Sequence, residues 1–216
     1  MGMSWTSRTG VAALLAAGSF FMAPLSASAA DTFYSGRSTG IDGQTTISGS
    51  EQEVLIGDTA MSCQGLPHDE TVASASNPAP LNIKAQTVQV HTLGKDGTAA
   101  SDATMQALNL ALPGLTVTAD AIGAHARATC DIGSGTTTAS GHSDITNLVI
   151  NGQATAIAIN KRITIPGVAT IVVDEHRHYA NQMKVNALHI TLDNPNLPAS
   201  GEIFVAKTNA KVVCNP

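Results

Sequence analysis

From Ala85 onward, apolar and polar residues alternate with a period of two, and helical periodicity is nearly absent. In Ala85–Leu93, Val88, Val90 and Thr92 share a face, and Gly94-Lys95-Asp96-Gly97 reads as a turn. Met105–Leu112 sets Leu108, Leu110 and Leu112 on one side before Pro113-Gly114 ends it. Leu115, Val117 and Ala119 follow. Near Ala121-Ile122 the apolar set changes parity, and Ala124, Ala126, Ala128 and Cys130 continue in the other phase. A bulge or sharp bend is the expected device, because a simple strand keeps its phase. Gly133–Gly135 turns the chain into the Thr- and Ser-rich stretch Thr136–Ile150. Asn151-Gly152 is the strongest hairpin element, since a type I′ turn needs positive φ twice, and Ala154–Ile159 is its return. Ile163 and Ile165 lead through Pro166-Gly167 to the apolar run Val168–Val173. Tyr179–Gln182 reads as a turn, and Val185–Leu192 carries Leu188, Ile190 and Leu192 on one face. Asn194–Gly201 reads as a loop and Glu202–Val213 as the closing strand.

The earlier part of the chain is weaker. Gly36–Ser50 alternates faintly, and Glu53–Ile56 is a short run ended by Gly57-Asp58. Gln64–Pro80, with three prolines and many small polar residues, reads as a loop or irregular crossing. Strands at roughly 8–15-residue spacing with turns between them predict an antiparallel β-sandwich or barrel of roughly eight to twelve strands. The expected fold class is therefore all-β, as a single domain over residues 31–216.

The first thirty residues change the picture of where this domain folds. Arg8 provides a positive start, Val11–Met22 is almost wholly apolar, and Pro24 breaks the run before Ala27-Ser28-Ala29. That order reads as a cleaved export signal over residues 1–30, too short for a spanning helix. No later stretch is apolar enough to span a membrane, so the expected product is secreted, free or associated with the cell envelope. Without the signal the chain keeps ten basic and sixteen acidic residues. A mildly acidic surface lacks the clustered Lys and Arg that nucleic acid requires, and gives no reason to bind anionic lipid. The aromatic residues left are Phe33, Tyr34, Tyr179 and Phe204, too few for a stacking platform.

Three cysteines remain: Cys63, Cys130 and Cys214. Outside the cytoplasm a pair is expected to oxidise. Cys130–Cys214 closes a loop of roughly 84 residues, worth about 4 kcal/mol in the chain-entropy model. Length alone also admits Cys63–Cys130, and an odd count leaves one thiol free or paired between chains.

The one dense polar cluster is Asp174-Glu175-His176-Arg177-His178. On an extended strand Asp174, His176 and His178 point the same way, and a hairpin at Tyr179–Gln182 brings His176 opposite Val185 and His189 near Asp174. Two or three imidazoles with a carboxylate are a ligand set for Zn²⁺ or Cu²⁺. The competing reading is a solvated strand end whose charges discourage edge pairing. His68-Asp69-Glu70 reads as a solvated loop. Gly141-His142-Ser143-Asp144-Ile145 approaches a nucleophile elbow but has Ile145 where the second glycine belongs, and lacks the strand-to-helix setting. No phosphate loop, zinc-protease motif or dinucleotide fingerprint is present. The expectation is a domain without catalysis.

Several segments together resemble the choice-of-anchor P family. Val185-Asn186-Ala187-Leu188-His189-Ile190 is similar to its "VNALHV" segment, and Ile145–Gly152 to "IANLSVNG". Ile163-Thr164-Ile165-Pro166-Gly167 resembles "TTVTIPG", and Val172-Val173-Asp174-Glu175 resembles "LNEQ". Ser35-Gly36-Arg37, Ala119-Asp120-Ala121 before Cys130, and a last strand bearing Cys214 fall in the family's order. The resemblance implies a bacterial extracellular β domain with no known catalytic activity, and it favours Cys130–Cys214 as the bridge. The family's C-terminal anchor is not expected after Cys214-Asn215-Pro216, so free secretion is the expectation, and Leu197-Pro198-Ala199-Ser200-Gly201 reads as a loop. The expected role is structural or interactive, toward an unidentified protein or an envelope component. Metal binding through His176, His178 and Asp174 is the alternative, and a hydrolase of unrecognised type the second.

Overall fold

The computed structural model describes residues 32–60, 67–77, 81–194 and 199–214. The export segment and Cys63 lie outside them. The described residues form thirteen strands. One sheet, sheet A, contains β1 (Phe33–Ile47), β2 (Ser50–Asp58), β10 (Lys161–Ile165), β11 (Ala169–Tyr179), β12 (Gln182–Asn194) and β13 (Ala199–Val213), in the order β10-β11-β12-β13-β1-β2. Sheet B contains β3 (His68–Asn77), β4 (Ile83–Lys95), β5 (Thr98–Leu112), β6 (Leu115–Asp131), β7 (Thr136–Thr146), β8 (Val149–Ile150) and β9 (Gln153–Ala154). Its order is β3-β4-β5-β6-β8-β9, with β7 also paired to β6. Every pairing is antiparallel. The two sheets pack face to face around one apolar core, so the expected all-β sandwich is the observed one.

Turn chemistry sets the hairpins. Asn151-Gly152 joins β8 to β9 with φ of 48° and 78°, and Asp96-Gly97 joins β4 to β5 with 49° and 74°. Ser48-Gly49 does the same between β1 and β2, with 52° and 78°, in a stretch where alternation was faint. The expected turns at Pro113-Gly114, Pro166-Gly167 and before Gln182 are all present.

The parity change foreseen in β6 extends across the sheets. In β5, Ala99, Ala103 and Met105 are buried, then Leu108, Leu110 and Leu112. In β12 the inward set passes from Met183, Val185 and Ala187 to Leu188, Ile190 and Leu192. In β13 it passes from Ile203 and Val205 to Ala206, Thr208, Ala210 and Val212. These switches stand side by side, because Asn186 faces Lys207 and Leu188 faces Val205, with Ala187 and Ala206 between. Left-handed backbone marks the row at Asp174, Ala206 and Gly57 in sheet A, and at Thr87 and Ala107 in sheet B. A residue at positive φ reverses the pleat, so its own side chain points to the same side as the residue before it, as Ala206 does after Val205. Since neighbouring strands switch together, the β5–β6 and β12–β13 registers run through unchanged. An extra bulged residue in β6 is therefore not the device; β4–β5 alone carries register shifts nearby.

Two other expectations are corrected. Gln64–Pro80 contains β3, an edge strand whose small polar residues give no alternation to read. β2 does end at Asp58, with Gly57 inside it at the switch. Ala199–Gly201 belongs to β13, paired to β1 and β12 on its two sides. Cys130 and Cys214 are joined at 1.93 Å, tying the end of β6 in sheet B to the end of β13 in sheet A.

Candidate metal centre on the outer face of sheet B

Strand register assembles a row that no single segment of sequence contains. Asp69 on β3 stands opposite His91 on β4, His91 opposite Asp102 on β5, Asp102 opposite His125 on β6, and His125 opposite His142 on β7. The flanking residues Val90, Ala103, Ala124 and Ala126 point into the core, which turns this ladder of alternating acid and imidazole outward. The β6–β7 turn decides the last step: the pair Asp131–Thr136 closes it around Gly133 and Gly135, and this brings His125 across from His142.

Asp144 completes the group. It lies two residues beyond His142, on the same side of β7, and stands opposite Gly123. Its Oδ2 is 3.4 Å from His125 Nε2 and 3.5 Å from His142 Nε2. The two imidazole rings stack with centroids 4.7 Å apart. Gly123 leaves the necessary room, since a Cβ there would sit 3.3 Å from His125 Nε2. On the far side His125 Nδ1 donates to Asp102 Oδ1 at 2.7 Å. A carboxylate cannot donate in return, so the Nδ1 proton is directed at Asp102 and Nε2 is the nitrogen that faces Asp144. The hydrogen bond to Asp102 raises the pKa of His125; partial burial opposes it, and the charges of Asp102 and Asp144 add to it. These partners favour the protonated form of His125. At the other end of the ladder, His91 Nδ1 contacts Asp69.

Among the described residues, His125, His142 and Asp144 are the one set of three histidine, cysteine or carboxylate side chains whose ligand atoms lie within 4.8 Å of one another. A tetrahedral ion with bonds of about 2.0–2.1 Å spaces its ligand atoms about 3.3 Å apart. Two of the three edges here already match that spacing.

The residues singled out from sequence are placed differently. Asp174 and His176 do meet, Oδ1 to Nε2 at 2.6 Å, on the inner side of β11. His178 does not join them as a third ligand, because its Nε2 donates to the Ala139 carbonyl of β7 at 2.9 Å. His189 is not beside Asp174 either. The parity switch sends it to the outer face of sheet A, where its Nδ1 is 3.1 Å from Glu175. Ser143 is half-buried and donates to Asp174 at 2.5 Å, so it meets a carboxylate where a nucleophile needs a basic imidazole. The ladder was missed because its members are scattered over more than seventy positions. The legible hint was His142-x-Asp144, two ligands on one strand face.

No protein-family model, curated protein or solved structure matches the chain. Fold and site define an antiparallel β-sandwich carrying a histidine–carboxylate cluster on one outer face.

Proposed function

We propose that this protein is a secreted, non-catalytic β-sandwich that holds a divalent transition metal, zinc or copper, through His125, His142 and Asp144. The observation that carries the reading is the spacing of their ligand atoms, 3.4 and 3.5 Å around a common carboxylate oxygen. Imidazole and carboxylate are the donors these ions select. Asp102 acts as the outer partner that fixes the ring and tautomer of His125, an arrangement typical of metal-bound histidine. Three protein ligands leave a coordination position open toward solvent, where a side chain of a partner protein or an envelope component can bind. Export is supported by the apolar leader and by the Cys130–Cys214 pair, which requires an oxidising compartment. Among the described residues no helix is long and apolar enough to cross a membrane. The segmental resemblance to choice-of-anchor P domains agrees with an extracellular role without catalysis.

Calorimetric titration of untagged protein with Zn²⁺ and Cu²⁺ tests this. One equivalent is expected to bind, His142→Ala to abolish binding, and Asp102→Asn to weaken it about 10- to 100-fold. His176→Ala with His178→Ala is expected to leave it unchanged. Binding that survives His142→Ala and fails in the His176/His178 variant would transfer the site to β11.

A further inference from the structure

The outer face of sheet A gathers positive charge on a chain that is acidic as a whole. Arg177 on β11 stands directly opposite Lys184 on β12, Lys184 opposite Asn209 on β13, and Asn209 opposite Arg37 on β1. One step toward the switch row, Lys207 lies between Asn186 and Thr39. A groove of about 310 Å³ runs over these residues, with Phe204 at its edge. Four of the chain's eleven lysines and arginines line it.

Two features separate this groove from an ordinary network of surface ion pairs. Arg177 and Lys184 form a like-charge cross-strand pair, with Glu175 on Arg177 the one acid that offsets it, and like charges directly opposite destabilise a sheet. Lys184 also has no carboxylate within ion-pair distance among the described residues; its ammonium stands 5.8 Å from the ring centroid of Tyr179. The other three cations are held in place by acids. Asp58 grips Arg37 through Nε and Nη2 at 2.9 and 2.8 Å, and Glu175 accepts from Nε and Nη2 of Arg177 at 3.0 and 2.7 Å. Neither acid engages Nη1, so each guanidinium is fixed with one nitrogen unspent. Lys207 is anchored by Asp42 at 2.6 Å and lies 4.3 Å from the centre of the Phe204 ring. Phe204 is already stacked on His189 at 4.4 Å, so it serves as wall and not as a platform for a sugar ring. The row spans three strand spacings, about 14 Å, which suits a small ligand with more than one anionic group.

We infer that this groove binds a small, multiply charged oxyanion, with Lys184 and Arg177 as its central contacts and Arg37 and Lys207 at its flanks. Asn209, whose Oδ1 accepts from Gln182, turns its amide nitrogen to the same groove as a donor between the cations. The site lies on the opposite sheet from the proposed metal centre and is independent of it.

Inorganic phosphate and citrate are the probes, a tetrahedral oxyanion and a tricarboxylate, titrated into the intact chain and followed by amide NMR shifts and thermal melting. At least one is expected to bind with a submillimolar Kd, to shift the amides of Lys184, Lys207 and Asn209, and to raise the melting temperature. Lys184→Met is expected to weaken that probe about tenfold or more, the loss of one charge-assisted contact, and Lys184→Arg to retain it. In the absence of probe, Lys184→Met is expected to melt no lower than wild type, since it removes the repulsion with Arg177. Lys161→Met, on β10, is the remote control. Failure of both probes to bind with a submillimolar Kd would overturn the inference; so would equal weakening by Lys184→Met and Lys161→Met.

Discussion

Glu175 on the outer face of sheet A offers the most quantitative test of how the switch row is held. It is 8% exposed, accepts from Asn186 at 2.6 Å and from Arg177, and lies 3.1 Å from His189 Nδ1. Burial by itself pushes its carboxyl up, but the hydrogen bonds from His189, Asn186 and Arg177 outweigh that and hold it down, from 4.5 to about 2. Replacing it in Glu175→Gln keeps the shape and removes the charge. A depression of that size corresponds to about 3 kcal/mol of differential stabilisation. Because the folded value lies below the unfolded one, this stabilisation is present above pH 4.5 and is lost as pH falls toward 2. His189 carries the opposite sign. Its hydrogen bond to Glu175 raises its pKa above 6.5, so its contribution is complete below 6.5 and lost as pH climbs through the raised value. The stability gap between wild type and Glu175→Gln is therefore greatest near about pH 5.5, shrinks strongly by about pH 2, and narrows more modestly in mild alkali. Urea denaturation of both proteins across that range measures it. A gap that is constant from acid to neutral pH, or absent at pH 5.5, refutes the reasoning.

Other predictions concern backbone and covalent framework. Thr87 is a β-branched residue at φ 48° inside β4, so Thr87→Gly is expected to stabilise the fold by about 1 kcal/mol, against the usual cost of glycine in a strand; thermal melting decides the sign. Gly201 has φ 127°, and a Cβ there would lie 2.2 Å from the Gln44 carbonyl oxygen and 2.6 Å from the Thr45 Cα. Both obstacles are backbone, so Gly201→Ala is expected to cost about 2 kcal/mol or more on urea unfolding, an ordinary melting curve being the contrary result. Peptide mapping without reductant is expected to recover Cys130 linked to Cys214, and Cys214→Ser to lose up to about 4 kcal/mol.

The strands were legible wherever one face is buried and the other wet. Val88 and Val90, Leu108 and Leu110, and Leu188 and Ile190 are all in the core on the faces their alternation assigns. Turn chemistry was equally legible at Asn151-Gly152 and Pro166-Gly167, because few residues accept the backbone those turns impose. β3 was not, since an edge strand pairs on one side and needs few apolar residues. The candidate site was almost wholly hidden. Asp174, His176 and His178 are neighbours in sequence and drew attention for that reason, yet His178 spends its Nε2 on a backbone carbonyl. His125 and His142 lie seventeen positions apart in the chain and come face to face through the β6–β7 register.

By itself the chain determined its period, its turns and the phase change near Ala121, because these depend on local sterics and on which side of each strand meets water. Tertiary structure decided which strands are neighbours, and with that the two cross-strand rows, one of aspartate and histidine, the other of arginine and lysine. The reason is geometric. Residues in register on adjacent strands are about 5 Å apart whatever their separation in sequence, so chemistry read across a sheet appears only once the sheet is assembled.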